Sequence, residues 1–559
     1  MRKDKRKEKK FNLVNLVKIA IFLLLIISIF GIAPNYVRNN SEDGKINIII
    51  NNNNKTSKLK KDLYINEKKV VYMSVSDIRN YLDKYIYIDK ENNQIITTCG
   101  EKIAVLPMNG NTININNSNL NLLSGPEIKD EEIYLPISQM ASVYNMEMSY
   151  ITDENTLILD SLDRELIKMD VSKNLNVKYK DTVFSKTVDK ISKGEKVVVI
   201  EKNNNWCKIR TTKGKIGYVK TAKLQNEIYV RHNLVTQSSI EGKINLVWDY
   251  YSEYASAPNR NGTTIEGINV VSPSFFSLIK NGDGKLNVNV GDSGINYINW
   301  AKQNNYEIWA MVSNNSYKDT TSKILNSYTL RTNLINNIVY VANTYNLDGI
   351  NIDFENMKEE DKDVFSRFII ELEPKLKEAG KTLTVDVTAP DGGETWSMCY
   401  DRNVIGDVAD YIVFMAYDQY GSSSPKEGTT AGYNWVETNL KKFIDREEIN
   451  SNKIILGIPL YTRLWKEENG KITSNTVNIK DVNTVIPSDV SRNWDKDLRQ
   501  YYVEYMQGNT VYKMWIEDEE SIKEKVGLVK EYNLAGTAAW EKDRESENIW
   551  TVINQELKN

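Results

Sequence analysis

Histidine is nearly absent from this chain of 559 residues: there is one, His232. A His-Glu-x-x-His zinc protease, a three-histidine zinc site and any multi-histidine relay are thereby excluded. A Ser-His-Asp triad would have to run through residues 230–233. Cysteine is sparse as well. Cys99, Cys207 and Cys399 lie far apart and form no Cys-x-x-Cys pair, which argues against a metal knuckle and a disulfide framework and reads all three as small, partly buried apolar residues. Neither sign of charge dominates: 72 Lys and Arg face 75 Asp and Glu, a net of −3, so nothing global points to nucleic acid as a partner. Polar chemistry must fall to carboxylates, tryptophans and tyrosines, of which there are 32. No metal and no cofactor is expected.

The length predicts about three domains. Met1 to Lys10 carries seven basic and two acidic residues, and an apolar run from Ile19 to Ala33 follows. Residues 11–33 therefore read as a signal anchor, or as a secretory signal if they are cleaved. Gly31-Ile32-Ala33 fits a cleavage site only loosely, which favours the uncleaved anchor. The basic tail over 1–10 should stay cytoplasmic and the remainder face outward, membrane-anchored at the cell surface. Residues 34–61 are low in complexity and rich in asparagine and charge, and read as a linker. Asparagine is frequent all along the chain, which a compositional bias of the genome explains better than a prion-like function.

Residues 62–161 hold short alternating strands, such as Tyr85 to Ile88 and Glu132 to Leu135, split by polar turns. A Leu-Pro at 135–136 precedes a short helix, and two strands follow around Asp153-Glu154-Asn155. This α+β module resembles the copper amine oxidase N-terminal domain. No copper site is implied, because the region has no histidine, and the resemblance implies a spacer or wall-associating role. Residues 165–226 predict five short strands with turns at Lys193-Gly194 and Lys213-Gly214. With Leu175 to Val177, Gly194, Trp206 and Gly217-Tyr218 as landmarks, this all-β segment is similar to bacterial SH3-like domains, which implies binding of wall peptide. The alternative is that Trp206 and Tyr218 are simply the core of a small barrel.

From residue 235 to 559 apolar strands alternate with amphipathic helices. Eight strands, at 244–249, 267–271, 307–313, 348–355, 382–388, 410–417, 453–461 and 535–540, predict an α/β fold of (β/α)8 barrel type. An insertion is expected between Thr462 and Asp518. In such a barrel the chemistry lies at the C-terminal strand ends. The fourth strand alternates so that Asn351, Asp353 and Glu355 share one face and Ile350, Ile352 and Phe354 the other. Carboxylates turned into a barrel are costly unless paired, and so point to function.

Asp348-Gly349-Ile350-Asn351-Ile352-Asp353-Phe354-Glu355 resembles the Asp-x-x-Asp-x-Asp-x-Glu signature of glycoside hydrolase family 18. Met415-Ala416-Tyr417-Asp418, the stretch from Gly457 to Trp465, and Trp540 match further family motifs at strands six, seven and eight. The resemblance implies Glu355 as general acid, Asp353 as partner of the substrate's acetamido group, and Tyr417 as donor to the acetamido carbonyl. It implies Trp540 as the floor of a sugar pocket, with Asp348, Asn351, Met415, Asp418, Tyr461 and Arg463 as further substrate-binding positions. No second carboxylate is needed as nucleophile, because the acetamido oxygen attacks the anomeric carbon. Two departures stand out. Asn351 replaces the middle Asp of the signature, as in the spore-cortex and germination-associated subgroup, and Ala310 to Asn315 replaces the strand-three Ser-x-Gly-Gly. The expected function is hydrolysis of N-acetylglucosaminyl bonds in peptidoglycan. The alternatives are a chitin or chito-oligosaccharide hydrolase and a non-catalytic glycan-binding wall protein.

Overall fold

A computed structural model describes residues 44–231 and 240–558. The basic tail, the expected anchor at 11–33 and His232 lie outside the described residues. Among the described residues, no helix is long and apolar enough to cross a membrane. The chain divides into two compact units, one holding 44–86, 106–113 and 119–231, the other 87–105, 114–118 and 240–558.

The first unit begins earlier than the composition suggests. Asn47–Ile50 forms a strand paired in parallel with Thr156–Ser161, which also pairs antiparallel with Met146–Ile151. The linker reading of 34–61 therefore fails from residue 47 onward. The physical reason is in the turn: Asn51 and Asn52 take φ of 48° and 65°, a left-handed pair that closes a tight hairpin onto Asn53–Asn54. Further along, Ser74 caps the helix Val75–Tyr81 by accepting from the Asp77 amide, and Pro136 precedes a single 3-10 turn, Ile137–Gln139.

The second module of this unit has seven strands in one sheet, two more than the five predicted, because Leu166–Val171 and Leu224–Arg231 pair with each other and extend it. Its core is Met169, Val171, Val177, Ile191, Val197, Cys207, Ile209 and Val219. Gly217 cannot be replaced there, since a Cβ would meet the Lys178 carbonyl oxygen at 2.5 Å. Trp206 is half-buried, and the Lys220 ammonium lies 4.1 Å over its ring. A buried bidentate ion pair, Arg210 to Asp160 at 2.8 and 2.5 Å, joins this sheet to the strand Thr156–Ser161.

In the second unit eight parallel strands close into a barrel: β1 Ile244–Asp249, β2 Val270–Pro273, β3 Glu307–Ser313, β4 Gly349–Asp353, β5 Thr382–Val387, β6 Tyr411–Met415, β7 Ile454–Pro459 and β8 Gly536–Trp540. Each pairs with its neighbour and β8 returns to β1. The strands read as continuous apolar runs because helices cover the outside. Eight helices of seven residues or more are described around and between them: α1 Gly291–Gln303, α2 Lys318–Asn326, α3 Tyr328–Thr344, α4 Lys362–Glu378, α5 Arg402–Val408, α6 Tyr433–Lys441, α7 Glu519–Glu531 and α8 Ile549–Lys558. Periodicity decides which face each buries; in α4 it is Phe365, Phe368, Ile369 and Leu372. Between β7 and α7 the expected insertion is an antiparallel sheet of five strands spanning residues 461–516, with its own core of Leu464, Val503, Met514 and Ile516.

Candidate active site

The barrel interior is polar at the level of β4. Asn351 is fully buried there and makes four hydrogen bonds to three other strands. Its amide oxygen accepts from Trp248 Nε1 at 2.8 Å and from Ser272 Oγ at 3.2 Å. Its amide nitrogen donates to Thr384 Oγ1 at 3.0 Å and to Asp386 Oδ1 at 2.7 Å. Above this layer opens a pocket of about 140 Å³ lined by Trp248, Asp353, Glu355, Asp386, Trp396, Met415, Tyr417, Asp418, Tyr461 and Trp540.

Asp353 is the last residue of β4, and Glu355 stands just past the strand end. The peptide between them is held from both sides. Asn314, buried in the loop after β3, donates to the Glu355 carbonyl at 2.8 Å and accepts from the Glu355 amide at 3.0 Å. Tyr400 donates to the Phe354 carbonyl at 2.8 Å. This loop replaces the Ser-x-Gly-Gly missing from strand three. It aims the carboxyl of Glu355 by fixing its backbone.

Burial raises the Asp353 carboxyl to about 7, helped by the nearby Asp386 and opposed by a hydrogen bond with Glu355. Glu355 is raised well above the usual carboxyl range by burial, then by the charge and hydrogen bond of Asp353. Burial also lifts Asp386 well above its ordinary value, although the Asn351 hydrogen bond pulls the other way. Three carboxyls in one pocket cannot all ionise. Burial and mutual charge thus favour the protonated form of these carboxyls over what they would show in water.

Aromatic rings form the other walls. Tyr417 meets Trp248 edge-on at 6.5 Å and Tyr461 at 6.4 Å. The half-buried Trp540 lies 5.7 Å from both Trp248 and Tyr250. Asp418 takes a left-handed φ of 55° and accepts from Tyr461 Oη at 2.7 Å and Arg463 Nη2 at 3.0 Å. Arg402 donates to the carbonyls of Thr388, Ala389 and Ser397, fixing the loop that carries Trp396.

Seven of the expected site residues thus meet in the pocket: Asp353, Glu355, Met415, Tyr417, Asp418, Tyr461 and Trp540. Three do not line it. Asp348 precedes β4 at the opposite end of the barrel, where its carboxylate accepts from the Ile308 amide at 3.0 Å. Asn351 lies beneath the pocket floor as an internal strut, and Arg463 stands behind Asp418. Sequence reasoning missed Trp248, Asp386 and Trp396. For Asp386 a signal existed, a lone carboxylate inside the apolar run 383–387; Trp396, on the short π-helical segment Glu394–Met398 after β5, offered none.

Residues 246–545 match the glycosyl hydrolases family 18 pattern. Residues 50–159 match the copper amine oxidase N-terminal domain and 173–225 the bacterial SH3 domain. An uncharacterized glycosylase of Bacillus subtilis is 27% identical over 302 residues, covering 52% of this chain and 85% of that protein. A cortical fragment-lytic enzyme of the same species is 24% identical over 255 residues, covering 44% of this chain and 58% of that protein. A chitinase structure from Chromobacterium violaceum ATCC 12472 shares the fold, with a TM-score of 0.50 at 24% identity over 57% of this chain and 99% of that one. With the family pattern running through all eight barrel strands, the chain belongs to glycoside hydrolase family 18 and is a glycoside hydrolase.

Proposed function

We propose that this enzyme cleaves N-acetylglucosaminyl bonds of peptidoglycan with retention, by substrate-assisted catalysis. The observation that carries the reading is the pair at the end of β4: a Glu355 carboxyl raised well above its usual range beside Asp353 in an aromatic-walled pocket. Glu355 gives its proton to the glycosidic oxygen as the bond to the anomeric carbon breaks. The acetamido oxygen of the same sugar forms the new bond to that carbon, giving a cyclic oxazolinium. Asp353 accepts a hydrogen bond from the acetamido N–H and balances the positive ring, while Tyr417 donates to the acetamido oxygen. Water then attacks the anomeric carbon, the bond from that carbon to the acetamido oxygen breaks, and the water gives a proton back to Glu355. Trp540 stacks under the sugar, and Asp418, held by Tyr461 and Arg463, fixes the hydroxyls at the pocket rim.

Peptidoglycan is favoured over chitin by the company the barrel keeps. The chain carries a bacterial SH3 domain, and a relative is a cortical fragment-lytic enzyme. This reading also takes the enzyme to face outward, tethered by or released from residues 11–33. Mass spectrometry of fragments released from purified murein, and from spore cortex bearing muramic lactam, tests it. Fragments with reducing-end N-acetylglucosamine are expected. Release from chito-oligosaccharides alone would assign the enzyme to chitin instead.

A further inference from the structure

The signature strand of this chain has a carboxamide at 351, so β4 offers Asp353 no carboxyl neighbour on the side away from Glu355. A carboxyl is nevertheless present, on the next strand. Asp386 of β5 is 1% exposed, lines the same pocket as Asp353 and Glu355, and receives the Asn351 amide at 2.7 Å. Position 351 and Asp386 are thus the two ends of one hydrogen bond. We propose that Asp386 is a positioning residue that sets the charge carried by Asp353 and acts on the substrate through it.

The argument is one of charge and place. Buried carboxylates lining one pocket are unfavourable unless a proton is held among them. Asn351 cannot accept one, and its own four hydrogen bonds fix it as a donor toward Asp386. The titratable groups facing Asp386 are Asp353 and Glu355 from the end of β4 and Tyr417 from the end of β6. Burial raises both Asp386 and Asp353, and the charge of Asp386 raises Asp353 further; in this proposal the two aspartates hold one proton between them while Glu355 keeps its own. As Glu355 protonates the departing oxygen and positive charge grows on the acetamido-derived ring, the shared proton settles on Asp386 and Asp353 faces the oxazolinium as an anion. Water attack returns a proton to Glu355, and the pair shares its proton again. No proton is gained or lost by Asp353 and Asp386 together.

This inference rests on the reading of Glu355 and Asp353 given above, and the test separates the two. The wild type, Asp386→Asn, the exchange Asn351→Asp with Asp386→Asn, and Glu355→Gln are compared on a fluorogenic N,N′-diacetylchitobioside from pH 4 to 9. The amide at 386 still offers an oxygen to Asn351, so the first variant keeps the strand contact. Its kcat is expected to fall about 10-fold or more with KM changed less than about threefold, the signature of an interaction that acts mainly in the transition state. The alkaline limb of kcat/KM should move down by about one pH unit, because the remaining carboxyls lose a raising neighbour. The exchange returns a carboxyl to the other end of the same hydrogen bond and should restore most of kcat and the wild-type pH limb. A wild-type pH profile in Asp386→Asn, with Glu355→Gln inactive, would leave Asp386 a packing residue and overturn the inference alone. An exchange variant no better than Asp386→Asn would do the same. Activity surviving in Glu355→Gln would instead remove the functional reading. Thermal melts by circular dichroism accompany each variant; if Asp386→Asn unfolds early, the exchange, with its acid–amide pair intact, decides alone.

Discussion

Asn314 gives the sharpest test of how the fold aims the general acid. Its fully buried side chain holds both backbone groups of the partly buried Glu355, at 2.8 and 3.0 Å, and reaches Thr321 Oγ1 at 3.1 Å. Asn314→Ala removes these bonds and leaves the Glu355 amide and carbonyl without protein partners. Each orphaned buried group costs about 1–3 kcal/mol, so a loss of roughly 2–5 kcal/mol in global stability is expected. The larger effect is positional. With Tyr400 alone holding the neighbouring carbonyl, the Glu355 carboxyl can drift, and a misplacement of about 1 Å costs on the order of 10² in rate. The assay is urea denaturation, together with kcat at saturating chitobioside under conditions where near-ultraviolet dichroism reports the folded protein. Stability and kcat should fall together while KM moves little. A folded variant with kcat within about twofold of wild type would refute the view that this loop positions the acid.

Other expectations follow from the same geometry. Glu355→Gln keeps size and hydrogen bonding but has no proton to give, so turnover should fall by about 10²–10⁴ while glycan binding, followed by calorimetry, persists. Asp353→Asn should move the alkaline limb of kcat/KM to lower pH, because Asp353 raises Glu355 in the wild type. In stability the sign is also set: the Asp353 carboxyl is raised to about 7 in the folded protein, so its contribution is complete below pH 4 and lost as pH rises through about 7; urea titrations of wild type and Asp353→Asn should diverge across that window. Arg210→Ala strands Asp160 in a buried site, and a cost of about 3–5 kcal/mol should appear in calorimetry as a lower melting transition.

The barrel was legible because most of its strands are apolar on both faces, as in β7, and its helices repeat with the helical period, as in α4. The catalytic pair was legible because period-2 alternation put Asp353 and Glu355 on one face. Alternation says nothing about which end of a strand opens to substrate. Asp348 lies on the other face and five residues back, about 17 Å along an extended chain, and so caps the far end of the barrel. Asn314 reads as an ordinary loop residue until the fold brings it under Glu355. The asparagine-rich stretch 47–54 hid a hairpin, because composition alone cannot separate a solvated asparagine from one supplying left-handed backbone. Asparagine does that repeatedly here: Asn51, Asn52, Asn116, Asn117, Asn155, Asn346 and Asn356 all have positive φ, a conformation it tolerates better than most residues. As composition alone the bias is background, yet at these turns asparagine does the work more often given to glycine.

The polar layer under the pocket explains why a carboxamide suits position 351. A carboxylate there would present acceptors to Trp248 and Ser272 but no donor toward Thr384 and Asp386. The carboxamide offers both at once, and Asn351 uses both: Trp248 of β1 and Ser272 of β2 on its oxygen, Thr384 and Asp386 of β5 on its nitrogen. One side chain thereby ties three other barrel strands to β4 through the barrel's interior. The cost of burying such groups is met only if every member is satisfied, and for Asn351 each is. The strand that presents Asp353 and Glu355 is therefore held by hydrogen bonds of fixed direction rather than by apolar contact alone. With the carboxyl on Asp386 rather than at 351, the pocket keeps a second aspartate and the barrel has a donor at 351 that it would otherwise lack.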